Sequence, residues 1–96
     1  MNQVSLSYYA EVLKRSLKER GLTLTEMERR TGISNAYYSQ MISGKRPITE
    51  KTWMNILVYG FELSRDIARK VFAIMKIDEG KNLLAYFQEH PFYNMQ

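Results

Sequence analysis

The glycines of this chain divide it into short segments whose apolar residues recur at helical spacing. Gly21, Gly32, Gly44 and Gly60 each end a segment of roughly 8 to 14 residues in which apolar side chains return every three or four positions. No segment has the strict apolar–polar alternation of a half-buried strand. These stops and this spacing restrict the chain to short helices, and we predict an all-α fold.

Capping residues mark where the helices begin. Thr23 is followed three residues later by Glu26, which is the spacing of a capping box. The first helix is predicted over 7–20, and the starts of the later ones carry N-cap residues of the same kind, namely Ser34, Thr49, Ser64 and Asp78. We predict six helices, of which the last is short, begins at Asp78 and ends before Pro91.

Length and composition exclude several classes of protein. A chain of 96 residues with 45% hydrophobic side chains is enough for one modest core. It has no cysteine, which excludes disulfides and thiolate metal sites. No apolar run approaches the roughly 18 residues of a membrane span, and the N-terminal residues lack the pattern of a signal peptide. We therefore expect a cytoplasmic protein without membrane contact.

Positive charge is concentrated in the first half of the chain. Residues 1–51 contain nine Lys or Arg and five Glu, whereas residues 52–96 contain five basic and five acidic side chains. The net charge of +4 therefore comes entirely from the first half. Such an asymmetry indicates a polyanion-binding surface joined to a part with another role, although a solvated surface with a mild bias gives the same totals.

Two short helices are predicted to meet at residues 31–34, which read Thr-Gly-Ile-Ser. A turn of this length that contains a glycine is typical of two helices joined at a steep angle. Gly32 suits the corner because the chain must leave the first helix at positive φ. Ile33 can fill the angle between the helices by packing toward Met27 and Tyr38. This geometry leaves the N-terminal end of the second helix free to enter a DNA major groove.

The stretch from Gly21 to Pro47 resembles the helix-turn-helix of the XRE family, the DNA-binding domain of the phage Cro and lambda-repressor type. The residues that match the family pattern are Gly21, Leu22, Thr23, Glu26, Gly32, Ile33, Ser34, Ser39, Gly44 and Lys45, with conservative matches at Met27, Tyr38 and Met41. Glu28 departs from the pattern, because the family has alanine at this helix crossing, and Pro47 comes slightly early. A glutamate there implies a wider crossing, or a stem that lies along the crossing with its carboxylate in solvent.

The resemblance implies a five-helix, lambda-repressor-like domain over residues 1–77. Residues 78–96 are then a C-terminal extension that contains the additional short helix. This extension carries more apolar surface than a small protein leaves in water, from the side chains Leu83, Leu84, Tyr86, Phe87, Phe92, Tyr93 and Met95. We interpret it as a dimerisation segment that acts with part of the fifth helix. The alternative is that it packs back onto its own domain.

The resemblance also implies a DNA site on the second helix of the motif. The positions that face base edges in the family are here Asn35, Ala36, Tyr37 and Gln40. Asn and Gln can form bidentate pairs with adenine, and an alanine methyl can meet a thymine methyl. The positions that contact the DNA backbone in the family are here Thr23, Thr25, Ser34, Ser43, Lys45 and Arg46.

Several of these residues also have a purely structural interpretation. Ser34 can be an N-cap and nothing more, Tyr37 can cover the edge of the core, and Asn35 and Gln40 can be solvated side chains. By their spacing, Tyr38 and Met41 belong to the core, as do the aromatic residues Trp53, Phe72 and Phe87. Of the remaining cations, we expect one of Arg29 and Arg30 near a phosphate, and a solvated face formed by Lys14, Arg15 and Lys18.

The sequence offers little for catalysis. It has one histidine, His90, with no second metal-ligand type beside it, and no glycine-rich phosphate loop or nucleophile–base pair. We therefore expect no enzymatic activity, no catalytic residue, no bound metal and no cofactor.

The favoured function is sequence-specific binding of double-stranded DNA by a transcriptional regulator. A repressor that reads a pseudo-palindromic operator as a homodimer fits best, because one recognition helix reads only a few base pairs. One alternative is the antitoxin of a toxin–antitoxin pair, with a toxin protein as a further partner. A second is a protein–protein interaction module on the same fold, which would present a neutral or acidic face where this chain has Lys45 and Arg46.

Overall fold

The computed structural model describes the backbone of residues 3–89 and the side chains of residues 8–82. Within this range the chain forms helices and no strand, as the all-α prediction requires. The five α-helices are α1 (Gln3–Arg20), α2 (Leu24–Thr31), α3 (Asn35–Ile42), α4 (Glu50–Asn55) and α5 (Arg65–Glu89). A π-helical turn (Ile56–Gly60) continues α4. The predicted five-helix helix-turn-helix architecture is confirmed.

The predicted N-caps of α2 to α5 are found where the sequence places them. Each hydroxyl accepts a hydrogen bond from the backbone N–H three residues later, at 3.1 Å for Thr23 and Ser34 and at 3.2 Å for Thr49 and Ser64. These bonds satisfy donors that the first turn of a helix leaves free. The helix starts are therefore fixed by local chemistry.

One hydrophobic core lies between the helices. Its largest fully buried side chains are Trp53, Tyr38, Leu13, Met27, Met41 and Ile56. Every helix therefore contributes to the same core, since Ala68 and Met75 of α5 are buried in it as well. The predictions that Trp53, Tyr38 and Met41 are core residues are confirmed. Phe72 and Ile33 are half-buried against this core, and the predicted core residue Phe87 lies outside the described side chains.

The π-helical turn brings α4 close to α2. The N–H of Phe61 donates to the carbonyl of Ile56, five residues earlier, at 2.8 Å. A Cβ atom at Gly60 would overlap the terminal methyl of Met27 and would lie 3.3 Å from Thr31 Cγ2. The absence of a side chain at Gly60 therefore lets the turn approach α2 directly.

Helix α5 continues through the position where the sequence predicts a sixth helix to start. The hydroxyl of Tyr8 donates to Asp78 Oδ2 at 3.4 Å, and that of Tyr9 donates to Glu79 Oε1 at 2.7 Å. Burial, followed by the Glu79 carboxylate, raises the pKa of Tyr9, so the phenol remains a donor. The Asp78 carboxylate is thus held by α1, and the predicted helix start at Asp78 is not observed. The extension is helical to Glu89 as part of α5. The apolar side chains predicted for dimerisation, from Leu83 to Met95, lie outside the described side chains. His90 lies outside the described backbone as well.

Candidate nucleic-acid interface

The corner between α2 and α3 has the geometry that its sequence predicts. Gly32 adopts φ 78°, and its N–H donates to the carbonyl of Glu28 at 2.9 Å. The hydroxyl of Thr31 donates to the Met27 carbonyl at 2.7 Å and also lies 2.7 Å from the Tyr38 hydroxyl. Because the single Thr31 proton goes to Met27, the Tyr38 phenol is the donor in the second bond. The corner is therefore closed by hydrogen bonds on its inner side.

Helix α3 has one buried side and one exposed side. Tyr38 and Met41 are completely buried. The outer side carries small and polar residues that are all exposed, namely Asn35, Ala36, Ser39, Gln40 and Ser43. Tyr37 is half-buried at the boundary and packs against the core. The predicted base-contacting residues thus share one surface. Ser39 belongs to it too, although the sequence analysis assigned it no contact; its spacing of three from Ala36 was the available signal.

The loop after α3 is hydrogen-bonded to Gln40. Gly44 adopts φ 80°, and the N–H groups of Lys45 and Arg46 donate to the Gln40 carbonyl at 2.9 and 3.2 Å. The guanidinium of Arg46 donates from Nε to Gln40 Oε1 at 2.7 Å and lies 4.5 Å above the centre of the Tyr37 ring. Arg46, predicted to contact the DNA backbone, is therefore joined to two of the predicted base-contacting residues.

The N-terminus of α2 is the second region where the sequence predicts backbone contacts. The first bond of the helix joins the Met27 N–H to the Thr23 carbonyl at 3.0 Å. The earlier amides of Leu24 and Thr25 precede that bond, as the free donors of a first helical turn do. Thr23 and Thr25 are both exposed. This end of α2 can accept an anion such as a phosphate, because its amides and the helix dipole both favour negative charge.

Glu28 makes a contact that the sequence analysis did not anticipate. Its side chain is exposed, and its Oε1 accepts a hydrogen bond from the backbone N–H of Asn35 at 3.1 Å. The carboxylate therefore sits at the N-terminus of α3, where the helix dipole favours it. The departure from the family pattern at this residue thus replaces a small contact with an additional cap on the candidate recognition helix.

The two arginines of α2 have different roles. Arg29 and Arg30 both donate to the Glu26 carboxylate, and these bonds lower the pKa of Glu26 and keep it ionised. Arg30 also donates to the Gly60 carbonyl at 2.7 Å. Arg30 is therefore a structural link to the π-helical turn, whereas Arg29, whose side chain is 70% exposed, remains accessible. The cations of α1 predicted as solvated, Lys14, Arg15 and Lys18, are exposed.

The charge on this surface is positive. Between Arg30 and Glu50 the only charged residues are Lys45 and Arg46, and both are exposed. No cluster of three potential metal ligands occurs among the residues with described placement. None of the helices between residues 3 and 89 has both the length and the hydropathy that crossing a bilayer would need.

The comparison with protein families agrees with this geometry. The model of a family described as helix-turn-helix matches residues 13–59. The match begins in α1, contains the whole of α2, the corner, α3 and α4, and ends in the π-helical turn. No curated protein and no solved structure matches the chain.

Proposed function

We propose that this chain is a DNA-binding transcription regulator of the XRE type, and more narrowly a repressor, because the model of a helix-turn-helix family matches residues 13–59. It binds a pseudo-palindromic operator as a homodimer and inserts α3 into the major groove of each half-site. A repressor of this kind acts on the chromosome, plasmid or phage DNA of a cell, so we assign it to the cytoplasm.

One observation carries this proposal. The outer side of α3 consists of exposed small and polar residues beside two exposed cations, while its inner side is fixed by Tyr38 and Met41. Small and polar side chains allow close approach to base edges, and the cations attract phosphates. A protein–protein interaction module would not need this combination, and the absence of acidic residues between Glu28 and Glu50 argues against it.

We assign contacts to the individual residues as follows. Asn35 and Ala36, at the N-terminal end of α3, reach base edges, and Gln40 does so one turn later. Tyr37 reaches the groove from the boundary of the core. The DNA backbone is held on two sides, by the threonines at the start of α2 and by the end of α3. These backbone contacts are Thr23, Thr25, Ser34, Ser43 and Lys45.

The dimer is supported by the apolar side chains that α5 leaves exposed. Ile74 and Ile77 are 58% and 59% exposed, and they directly precede the residues 78–96 that the sequence predicts as the dimerisation segment. Two exposed isoleucines on adjacent turns favour burial against another chain. A two-fold axis through this region would pair identical residues and place the two α3 helices on successive turns of one DNA face.

Selection of bound DNA from a random pool, followed by sequencing, tests the function. We expect one enriched motif with two inverted half-sites whose centres lie about 10 base pairs apart. Enrichment of no sequence would overturn the proposal. A motif with a single half-site would retain DNA recognition and overturn the dimer.

Sedimentation of the purified chain distinguishes the homodimer from the antitoxin alternative. We expect a dimer at tens of micromolar, both free and on DNA. A monomer that forms a stable complex only when co-expressed with the product of a neighbouring gene would contradict the homodimer and favour the antitoxin.

A further inference from the structure

Three side chains form one cluster: the half-buried Tyr37 and the exposed Gln40 of α3, and the exposed Arg46 of the loop that follows. Arg46 donates from Nε to Gln40 Oε1 at 2.7 Å, and its guanidinium lies 4.5 Å above the centre of the Tyr37 ring. The backbone N–H of Arg46 also donates to the Gln40 carbonyl, at 3.2 Å. The loop cation is thus fixed to α3 by its backbone, by its side chain and by stacking on an aromatic ring.

This contact determines which way the Gln40 amide faces. An arginine has only donors, so the atom of Gln40 that meets it must be the carbonyl oxygen. The amide nitrogen of Gln40, which carries two donors, then faces away from Arg46. The terminal nitrogens of Arg46 add further donors beside it. The cluster therefore presents donors to any ligand that approaches, and the one acceptor of Gln40 already binds a cation.

A surface of donors distinguishes between the purines. In the major groove guanine presents two acceptors, N7 and O6, whereas adenine presents the N7 acceptor and the N6 donor. The usual bidentate pair of glutamine with adenine needs the amide oxygen to accept from N6. Here that oxygen would have to be shared with the guanidinium, and the N6 amino group would face the other donors of Arg46. Guanine meets neither obstacle.

Given the DNA-binding function proposed for α3, on which this assignment rests, we propose that Gln40 and Arg46 together read one guanine in each half-site. Arg46 is the specificity-determining residue, because it directs the Gln40 amide and adds its own donors. Tyr37 is a positioning residue that holds the guanidinium plane. The adenine preference that the sequence suggests for Gln40 is thereby replaced by a guanine preference, while Asn35 keeps its predicted adenine.

The test is the random-pool selection carried out in parallel on the wild-type chain and on Arg46→Ala, Arg46→Lys and the control Lys45→Ala. Lys45 is the neighbouring exposed cation, and its side chain takes no part in the cluster. In the wild-type motif we expect one guanine in each half-site that responds to the Arg46 substitutions. Arg46→Ala frees the Gln40 oxygen, so the guanine-to-adenine ratio at that position should fall roughly 5- to 150-fold, with the other positions unchanged. Arg46→Lys keeps the charge and some donors but loses the planar fork that stacks on Tyr37, so it should lower the same ratio by less than Arg46→Ala does.

The control and a second pair of variants separate this reading from a simple phosphate contact. Lys45→Ala should weaken binding to all sequences alike and leave the motif unchanged. Tyr37→Phe should keep the guanine preference because the ring remains, whereas Tyr37→Ala should reduce it. Circular dichroism of each variant checks that the fold is retained.

The outcomes distinguish failure of this assignment from failure of the function. If Arg46→Ala behaves like Lys45→Ala, with weaker binding and an unchanged motif, then Arg46 only contacts phosphate and the assignment is overturned while DNA recognition stands. If the wild-type chain enriches no sequence, the proposed function and this assignment both fail.

Discussion

Helix α3 and the second half of α5 both carry apolar residues at helical spacing, but the isoleucines of α5 are left exposed. Tyr38 and Met41 are completely buried, whereas Ile74 and Ile77 are more than half exposed. In residues 74–82 of α5 only Met75 is buried. The difference shows where this chain uses its core. The core fixes α3, the proposed recognition helix, in place, whereas the end of α5 leaves Ile74 and Ile77 exposed, as the proposed dimer interface requires.

Covalent continuity and packing also differ between the two regions. Helix α3 is short, and its position depends on the buried side chains, on the closed corner before it and on the loop tied to Gln40. The end of α5 depends on one long helix and on the bonds from Tyr8 and Tyr9. We therefore expect core substitutions to disturb α3 and surface substitutions on α5 to disturb assembly alone.

The largest effect is expected at the centre of the core. Trp53 is 1% exposed, and Trp53→Ala should lower the free energy of unfolding by about 3–5 kcal/mol, through lost burial and the cavity that remains. Thermal and denaturant unfolding followed by circular dichroism measures this. Trp53→Phe is the control, and its cost should be well below that of alanine. A phenyl ring still fills much of the space, and the indole N–H, which has no hydrogen-bond partner among the described residues, is removed. Equal costs for both variants would contradict this role of Trp53.

The next effect concerns the exposed end of α5. The double substitution Ile74→Glu with Ile77→Glu should convert the dimer to a folded monomer and weaken binding to the full operator about a hundredfold, since the second half-site no longer contributes. Sedimentation and titration with the selected DNA measure the two changes. Lys76→Glu, an exposed residue in the same segment, alters the net charge by the same two units and should leave the dimer intact. A variant that stays dimeric would place the interface elsewhere.

A smaller effect is expected on the outer side of α3. Asn35→Ala should weaken binding to the selected site by about 1–3 kcal/mol and relax the preference for one base, with little change on unrelated DNA. The reason is the loss of a bidentate contact without loss of charge. Competition titrations with single-base variants of the site give the answer. Ser16→Ala on α1, an uncharged polar residue outside both proposed interfaces, is the control. Unchanged affinity and selectivity in Asn35→Ala would exclude the residue from base reading.

The smallest effect is expected at Glu28. Glu28→Gln removes a negative charge from the N-terminus of α3 and should increase affinity for DNA of any sequence roughly twofold to fivefold, the equivalent of about 0.3–1 kcal/mol. Fluorescence anisotropy at two salt concentrations should show that the gain shrinks as salt rises. Glu19→Gln on α1 removes the same charge from an exposed site and should have less effect. Equal gains in both variants would indicate a general change in net charge.

The features predicted correctly from sequence are those that depend on near neighbours in the chain. The four N-caps and the glycine corner at Gly32 each involve residues within four positions, so residue type and spacing are sufficient to find them. The burial of Tyr38, Met41 and Trp53 follows from helical periodicity in the same way. These elements define the fold and the surface on which the site residues lie.

The features that sequence did not reveal depend on side-chain contacts between residues more than four positions apart. Asp78 is a good N-cap by type, yet its carboxylate binds Tyr8, seventy positions earlier, and the helix continues. The contacts of Glu28 with Asn35 and of Arg46 with Gln40 cross a turn and a loop, respectively. No local pattern specifies which partner a long charged side chain will take, so only the folded geometry identifies these pairs.

Helix α5 continues through Gly80 without interruption. The number of its residues therefore sets both its length and the rotation of one end relative to the other. Each residue of an α-helix advances the chain by about 1.5 Å along the helix axis and rotates it by about 100° around that axis. A single inserted residue would therefore rotate everything beyond it by roughly a quarter of a turn, whereas four would nearly restore the phase. In a dimer joined through α5, such a rotation would turn the α3 helix of one protomer away from the DNA face that the other α3 helix contacts. The proposed dimer therefore constrains the number of residues in α5 as well as their identity.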